Sequence, residues 1–291
     1  VDGLDEHFGI GEGCEVTLEM DPGTFDAGRL AAYVSEARVS RVSVGVQSFD
    51  PALLKAAGRA HSAEDAVEAC GILNESCAKG QRGGGISSWS LDLISGLPHM
   101  TRDSWRASLE KAASEIRPPH VSVYDLQVED GTAFGRWYTP GLWPLASESE
   151  AAHLYRVASG ALSKAGYEHY EVSSYALRRE RKAKDQDTGA GADLADKEDG
   201  FAERAGLSGL QGSPSRTEGR SPHRSRHNSC YWSLAPFLGL GMGATSMVSP
   251  GRRAARPRSM DGYRDWVGRL EAQVEAQVEA TGLPAALLGI E

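Results

Sequence analysis

At 291 residues the chain is long enough for one large α/β domain or two small ones, and its 40% hydrophobic and 24% charged content is that of an ordinary globule. A net charge of −9 excludes a general nucleic-acid binder, which needs a basic face. No apolar run approaches the ~20 residues of a membrane helix, and the first residues carry no signal-peptide pattern.

In chain order, residues 15–20 (EVTLEM) read as a strand that ends in the turn 21–24 (DPGT). Leu30, Tyr33, Val34 and Ala37 give residues 26–37 a helical spacing. Residues 42–47 (VSVGVQ) alternate Val with Ser, Gly and Gln, the period of a strand. Gly45 marks a place where something approaches the backbone closely. Gln47 stands at the strand's exit, and Asp50 and Pro51 cap and open the next helix. Ligands of parallel α/β proteins bind at the carboxyl ends of strands, which puts Gln47 at the edge of a site. The alternative is a glutamine that only satisfies loop backbone.

Ser62 caps a helix over 63–75, with Glu64 and Asp65 near its positive end. Cys70 and Cys77, seven residues apart, can share its face and read as buried thiols. With Cys14 and Cys230 they form no CxxC pair, and so sparse a use of cysteine fits a reducing compartment. The Gly-rich residues 81–85 lack the strand-to-helix context of a phosphate cradle. A strand over 88–94 carries Asp92 near its end. Thr101 caps a helix over 101–115, and 121–126 is a fourth strand. A connection runs to about 146, followed by a helix over 147–165 and a fifth strand over 170–175. This βα alternation predicts an α/β fold with a parallel sheet and right-handed crossovers.

Residues 178–225 break the pattern. They are rich in Arg, Lys, Asp, Gly and Ser, have little to bury, and are expected to be a disordered, low-complexity insertion between a core over 1–177 and a last region over 226–291. Gly239, Gly241 and Gly243 form a GxGxG run with no good helix after it, weaker than a dinucleotide fingerprint. It suits a place where backbone meets a ligand or another element. Residues 260–280 look helical and amphipathic.

Taken together, the stretches 15–24 (EVTLEMDPGT), 45–50 (GVQSFD), 58–61 (GRAH), 92–98 (DLISGLP), 170–173 (YEVS) and 227–232 (HNSCYW) are far more specific than any one. In this order they resemble the radical S-adenosylmethionine family of oxygen-independent coproporphyrinogen III oxidase-like proteins. The His-Asn-x-x-Tyr-Trp run resembles its heme chaperone branch. The resemblance covers about residues 14–176 and 226–275. It implies a partial (β/α)6 barrel with parallel strands and with the first βα unit missing. It also implies that Glu19, Gln47, Arg59 and Asp92 contact S-adenosylmethionine, with Thr245 a weaker match.

Those residue types suit the ligand. Arg can clamp its carboxylate, while Asp and Glu can accept from its amine and hydroxyl donors. The alternatives are a strand-end charge for Glu19, a helix-cap acceptor for Asp92 and a surface cation for Arg59. Heme is implied as a further ligand, with His227 and Cys230 as candidate contacts because imidazole and thiolate both bind iron. Tyr and Trp packing at a barrel seam is the alternative for that run.

The family's four-iron cluster is held by a Cys-x3-Cys-x2-Cys loop, and this sequence contains none. Truncation at the N-terminus is therefore expected, with the [4Fe-4S] cluster present only in a full-length form and this chain alone inactive. The resemblance implies heme and heme-acceptor proteins as partners, in the cytoplasm of a bacterium or the mitochondrion or plastid of a eukaryote. Two alternatives stay open: an oxidase that decarboxylates coproporphyrinogen III, and a non-catalytic binding protein that has lost the cluster.

Overall fold

The structure is a computed structural model that describes residues 1–81, 83–178 and 220–281. The chain forms two compact units, Val1–Arg224 and Ser225–Glu291.

The first unit opens with α1 (Asp2–Phe8), followed by β1 (Thr17–Met20), α2 (Ala27–Ala37), β2 (Arg41–Gln47), α3 (Pro51–Ala56) and α4 (Ala63–Gly80). It continues with β3 (Ser88–Ser95), α5 (Arg102–Glu110), β4 (His120–Asp125), α6 (Ala133–Trp137), α7 (Glu148–Lys164), β5 (Tyr167–His169) and β6 (Ser174–Leu177). Helix starts follow the capping residues. Asp26, Asp50, Ser62 and Thr101 each accept from a backbone N–H of the first turn, and Ser62 with Asp65 completes a capping box. The helix expected over 101–115 ends differently: after α5 it widens into a π-helical turn over Lys111–Ile116.

The strands join in the order β1-β2-β3-β4-β6-β5. The first four are mutually parallel, as the βα alternation requires. The fifth strand expected over 170–175 is instead a hairpin. β5 and β6 run antiparallel to each other, and β6 runs antiparallel to β4. Tyr170 N–H donates to Ser174 O at 3.2 Å, so residues 170–173 form the turn. A parallel partner would need a crossover, and a four-residue link permits only an antiparallel one.

Strand alternation gives the sheet two different faces. Val42, Val44 and Val46, Trp89, Leu91 and Leu93, and Val121 and Val123 are buried on one face. They pack beneath Leu30, Leu73, Trp105, Leu109, Leu154 and Leu162 of the covering helices. Each such side chain contributes about 1.5–3 kcal/mol by leaving water. Cys70 and Cys77 are buried in this layer, as their spacing predicts, and burial pushes the Cys70 thiol up to about 12. The indoles in this layer keep hydrogen bonds. Trp89 Nε1 donates to Asn74 Oδ1 at 3.1 Å, and Trp105 Nε1 to Leu154 O at 3.0 Å.

The insertion expected over 178–225 lies, for residues 179–219, outside the described residues. Residues 220–224 belong to the first unit and are tied to it. Ser221 Oγ donates to Leu177 O at 2.6 Å and Ser221 N–H to Glu168 Oε1 at 3.0 Å. Arg224 pairs with the same carboxylate at 2.5 Å.

The second unit contains α8 (Arg226–Trp232), the antiparallel pair β7 (Thr245–Ser249) and β8 (Arg252–Ala255), and α9 (Met260–Thr281). Among the described residues, no helix is long and apolar enough to cross a membrane.

Candidate functional site

The other face of the sheet is polar. Alternation places Glu19 on β1, Arg41, Ser43, Gly45 and Gln47 on β2, Ser88, Ser90 and Asp92 on β3, and His120, Ser122 and Tyr124 on β4. Near the amino ends of the strands this face is buried: Arg41, Ser88, Ser90, His120 and Ser122 are all 6% exposed or less. Toward the carboxyl ends it opens at Glu19, Gly45, Gln47, Asp92 and Tyr124. A polar surface that is covered at one end and open at the other can receive a polar ligand at its open end.

Asp92 is the centre of that face. Ser43 Oγ donates to Asp92 Oδ2 at 2.7 Å and Ser90 Oγ to Oδ1 at 2.9 Å. Burial pushes the Asp92 carboxyl above its ordinary range. The bonds from Ser43, Ser122 and Ser90 oppose this, and the charge of Glu19 adds to it. Asp92 caps no helix; its partners are the hydroxyls of this face.

Gln47 sits at a positive φ of 64°, a conformation that costs a non-glycine residue strain. The register between β2 and β3 shifts just before it. Among the described residues neither its amide nor the Glu19 carboxylate has a hydrogen-bond partner, so Gln47 is not spent on loop backbone. Arg59 follows α3, where Gly58 at φ 67° turns the chain back, and its guanidinium pairs with Asp21. A Cβ at Gly45 would stand 2.7 Å from Gln47 Nε2, 3.0 Å from Asp21 Oδ1 and 3.5 Å from an Arg59 nitrogen. Gly45 thus leaves a cradle ringed by an amide, a carboxylate and a guanidinium.

Below the open end, Arg41 donates to Ser88 Oγ and to His223 O, both at 3.3 Å. His223 Nδ1 and Ser88 Oγ are 3.1 Å apart. Burial lowers the Arg41 pKa, while Glu15, Tyr170 and Asp92 work against that. Tyr170, from the hairpin turn, has its hydroxyl 2.9 Å from His120 Nε2, and Arg224 lies 5.1 Å over its ring.

The structure therefore brings Glu19, Gln47 and Asp92 onto one face, with Arg59 reaching it beside Gly45. The other expected residues lie in the second unit. Thr245 opens β7 opposite Ala255. The glycine run before it has a backbone explanation: a Cβ at Gly239 would strike Thr245 O at 2.4 Å, and Gly241 and Gly243 take positive φ. His227 and Cys230 are exposed on α8, and the His227 ring meets Tyr231 edge-on at 4.8 Å.

S-Adenosylmethionine carries a sulfonium, an ammonium, a carboxylate and a ribose diol. Asp92 and Glu19 offer acceptors, Gln47 offers an unengaged amide, and the Gly45 cradle offers room, so the residues present fit it. They do not fit a four-iron cluster. Cys70 and Cys77 are buried under the apolar face, and Cys14 and Cys230 lie in different units. Among the described residues no three His, Cys, Asp or Glu side chains are grouped to hold a metal.

Sequence reasoning missed Asp21, Arg41, Ser43, Ser90, His120, Ser122, Tyr124 and Tyr170. For three of them the sequence carried the signal. Arg41 and Ser43 share the parity of Gln47 and Ser90 that of Asp92, while His120, Ser122 and Tyr124 lie opposite Ser90, Asp92 and Ile94. Asp21 and Tyr170 lie in turns, where parity says nothing.

Residues 3–112 match the family model of the radical SAM superfamily. The chain is 33% identical over 264 residues to the heme chaperone HemW of Synechocystis sp., covering 91% of this chain and 51% of that protein. It is 28% identical over 285 residues to Escherichia coli HemW, covering 98% of this chain and 60% of that protein. With a Bos taurus protein named radical S-adenosyl methionine domain-containing protein 1, mitochondrial, it shares 30% identity over 238 residues, 81% of this chain and 41% of that one. The chain thus spans about half the length of the curated relatives it matches. Among solved structures, coproporphyrinogen III oxidase (HemN) from Escherichia coli superposes with a TM-score of 0.60 at 19% identity, over 96% of this chain and 52% of that one, which shows a shared fold. Residues 3–112, which carry the first three parallel strands, thus hold a radical SAM domain, and the chain is similar to HemW over most of its own length.

Proposed function

We propose that this chain supplies the S-adenosylmethionine-binding core of a heme chaperone-like protein, which carries heme to acceptor proteins. The observation that carries the first half is the face shared by Glu19, Gln47 and Asp92, with Arg59 beside the Gly45 cradle. When bound, S-adenosylmethionine would supply a sulfonium nucleoside; the protein's part is to hold it. Asp92 and Glu19 would accept from its hydroxyl and amine donors. Gln47 would meet a polar edge with its free amide. The Arg59 guanidinium, with N–H groups beyond the one given to Asp21, would face its carboxylate.

The heme half rests on the names of the curated relatives and on the exposed His227 and Cys230. A four-iron cluster would need ligands from outside this chain. The name of the Bos taurus relative supports an organelle as one setting. The oxidase alternative shares the fold with HemN but gains no residue from it.

Calorimetric titration of the chain with S-adenosylmethionine tests the core. Binding is expected, and Asp92→Ala or Gln47→Ala should weaken it about tenfold, or ~1.4 kcal/mol. Unchanged affinity in both variants would remove the assignment. Heme titration followed by absorbance, with His227→Ala beside it, tests the second half. Heme binding without turnover of coproporphyrinogen III in a full-length protein separates the chaperone from the oxidase.

A further inference from the structure

His120 lies at the covered end of the polar face, 1% exposed, and hydrogen-bonded at both ring nitrogens. The direction of each bond follows from counting protons. Ionised Asp92 can only accept. Ser90 has one hydroxyl proton, and its Oγ lies 2.9 Å from Asp92 Oδ1, 3.0 Å from Ser122 Oγ and 2.8 Å from His120 Nδ1. Whether that proton goes to Asp92 or to Ser122, none remains for the ring. If Ser90 gave its proton to His120, its bare lone pairs would face a carboxylate. So Nδ1 carries the hydrogen and donates to Ser90.

The ring is neutral, because burial and the nearby charges of Arg41 and His223 hold its pKa well below the ordinary histidine value. Nε2 is then an acceptor, and Tyr170 Oη, at 2.9 Å, donates to it.

We propose that His120 is a positioning residue for Asp92: in the Nδ1–H tautomer it relays a one-way chain of hydrogen bonds from the Tyr170 hydroxyl through Ser90 to the carboxylate. The chain orients Ser90 toward Asp92 and polarises its hydroxyl, so it favours the ionised carboxylate that a ligand's hydroxyl or amine would meet. Its effect on ligand binding rests on the S-adenosylmethionine reading; the tautomer and the bond directions do not.

Asp92 faces Glu19 from β1, Arg41 and Ser43 from β2, and Ser122 and Tyr124 from β4, and only Ser90 links it to His120. His120 faces Arg41, His223 and Tyr170. None of these places a carboxylate against the imidazole, so nothing there favours its charged form.

The test is nuclear magnetic resonance on the whole chain with 15N-labelled histidine. The His120 signals are assigned by their loss in His120→Gln and, independently, by their shift in Tyr170→Phe. The expected result is the neutral Nδ1–H pattern throughout pH ~5–8, with no midpoint near the ordinary ~6.5. An Nε2–H pattern, or a midpoint near that value, overturns the proposal.

A second readout is the 13C titration of the Asp92 carboxyl. Asn at position 120 can keep a donor near the place of Nδ1, whereas Gln reaches the place of Nε2. The Asp92 midpoint should therefore move up in His120→Gln and return toward wild type in His120→Asn. Equal midpoints in all three proteins overturn the proposal. Affinity for S-adenosylmethionine should follow the same order, with a severalfold loss in His120→Gln. If the wild type binds none, the functional reading fails, while the tautomer and the Asp92 titration still decide this one.

Discussion

Ser43 Oγ and Asp92 Oδ2 stand 2.7 Å apart on neighbouring strands, and this bond holds an acid on the polar face against the cost of burying it. Burial raises the Asp92 pKa above its ordinary 3.8, so the folded state holds the proton more tightly than the unfolded one. Stability attributable to this group falls as pH rises from the unfolded pKa through the folded one. A tenfold difference in proton affinity between the two states is worth about 1.4 kcal/mol.

Asp92→Asn should therefore raise the melting temperature at about pH 7 and change it little at about pH 3, where both states carry the proton. The same variant should bind S-adenosylmethionine less well. Thermal melts at the two pH values, with calorimetry beside them, check this; a lower melting temperature at neutral pH would contradict the account of Asp92.

Gly45→Ala should leave the fold intact and spoil the cradle. The added methyl meets the ends of the Gln47 and Asp21 side chains, which can swing aside. The melting temperature should move by no more than a few degrees, while affinity for S-adenosylmethionine drops by about tenfold or more. A large fall in stability with affinity kept would show that the glycine serves the strand and not the site.

The Arg59–Asp21 pair is partly exposed, at 27% and 54% for the two side chains. Such a pair contributes about 1 kcal/mol or less to folding. Arg59→Ala and Asp21→Ala should each cost little in denaturant titrations. Their effects on binding should part: losing Arg59 weakens S-adenosylmethionine affinity, whereas losing Asp21 frees the guanidinium and costs less.

Glu168 offers a test of the segment that returns at residue 220. Burial alone would raise its pKa, but the bonds from Arg224 and Ser221 N–H and the charges of Arg224 and Arg178 outweigh burial and leave it lowered. Its contribution to stability is thus present above the unfolded value and lost as pH falls through the folded one. Arg224→Ala should cost about 1–3 kcal/mol at neutral pH and begin acid unfolding at a higher pH than wild type. Urea titrations across the acid range measure both.

The parallel half of the fold was legible because each of its strands carries alternating Val, Leu or Trp and each main helix has a capping residue. Asp92, Gln47 and Glu19 were legible through the motifs around them. The hairpin was not, since residues 170–175 carry two tyrosines and a valine, and strand propensity does not reveal which way a strand runs. The return at residues 220–224 was hidden for another reason. Ser221, His223 and Arg224 carry no apolar pattern and are held by hydrogen bonds and charge, which composition cannot register. Strand parity puts Arg41 on the polar face, but that Arg41 and His120 are interior is decided only when the sheet supplies their partners.

The two-faced sheet carries a further implication. Val42, Val44 and Val46 point one way and Ser43, Gly45 and Gln47 the other, so interior packing and ligand recognition are written on one backbone in antiphase. Inserting or deleting a single residue within β2 would invert both messages at once, driving serine into the oil and valine onto the polar face. No small slip of that strand could damage recognition while sparing folding.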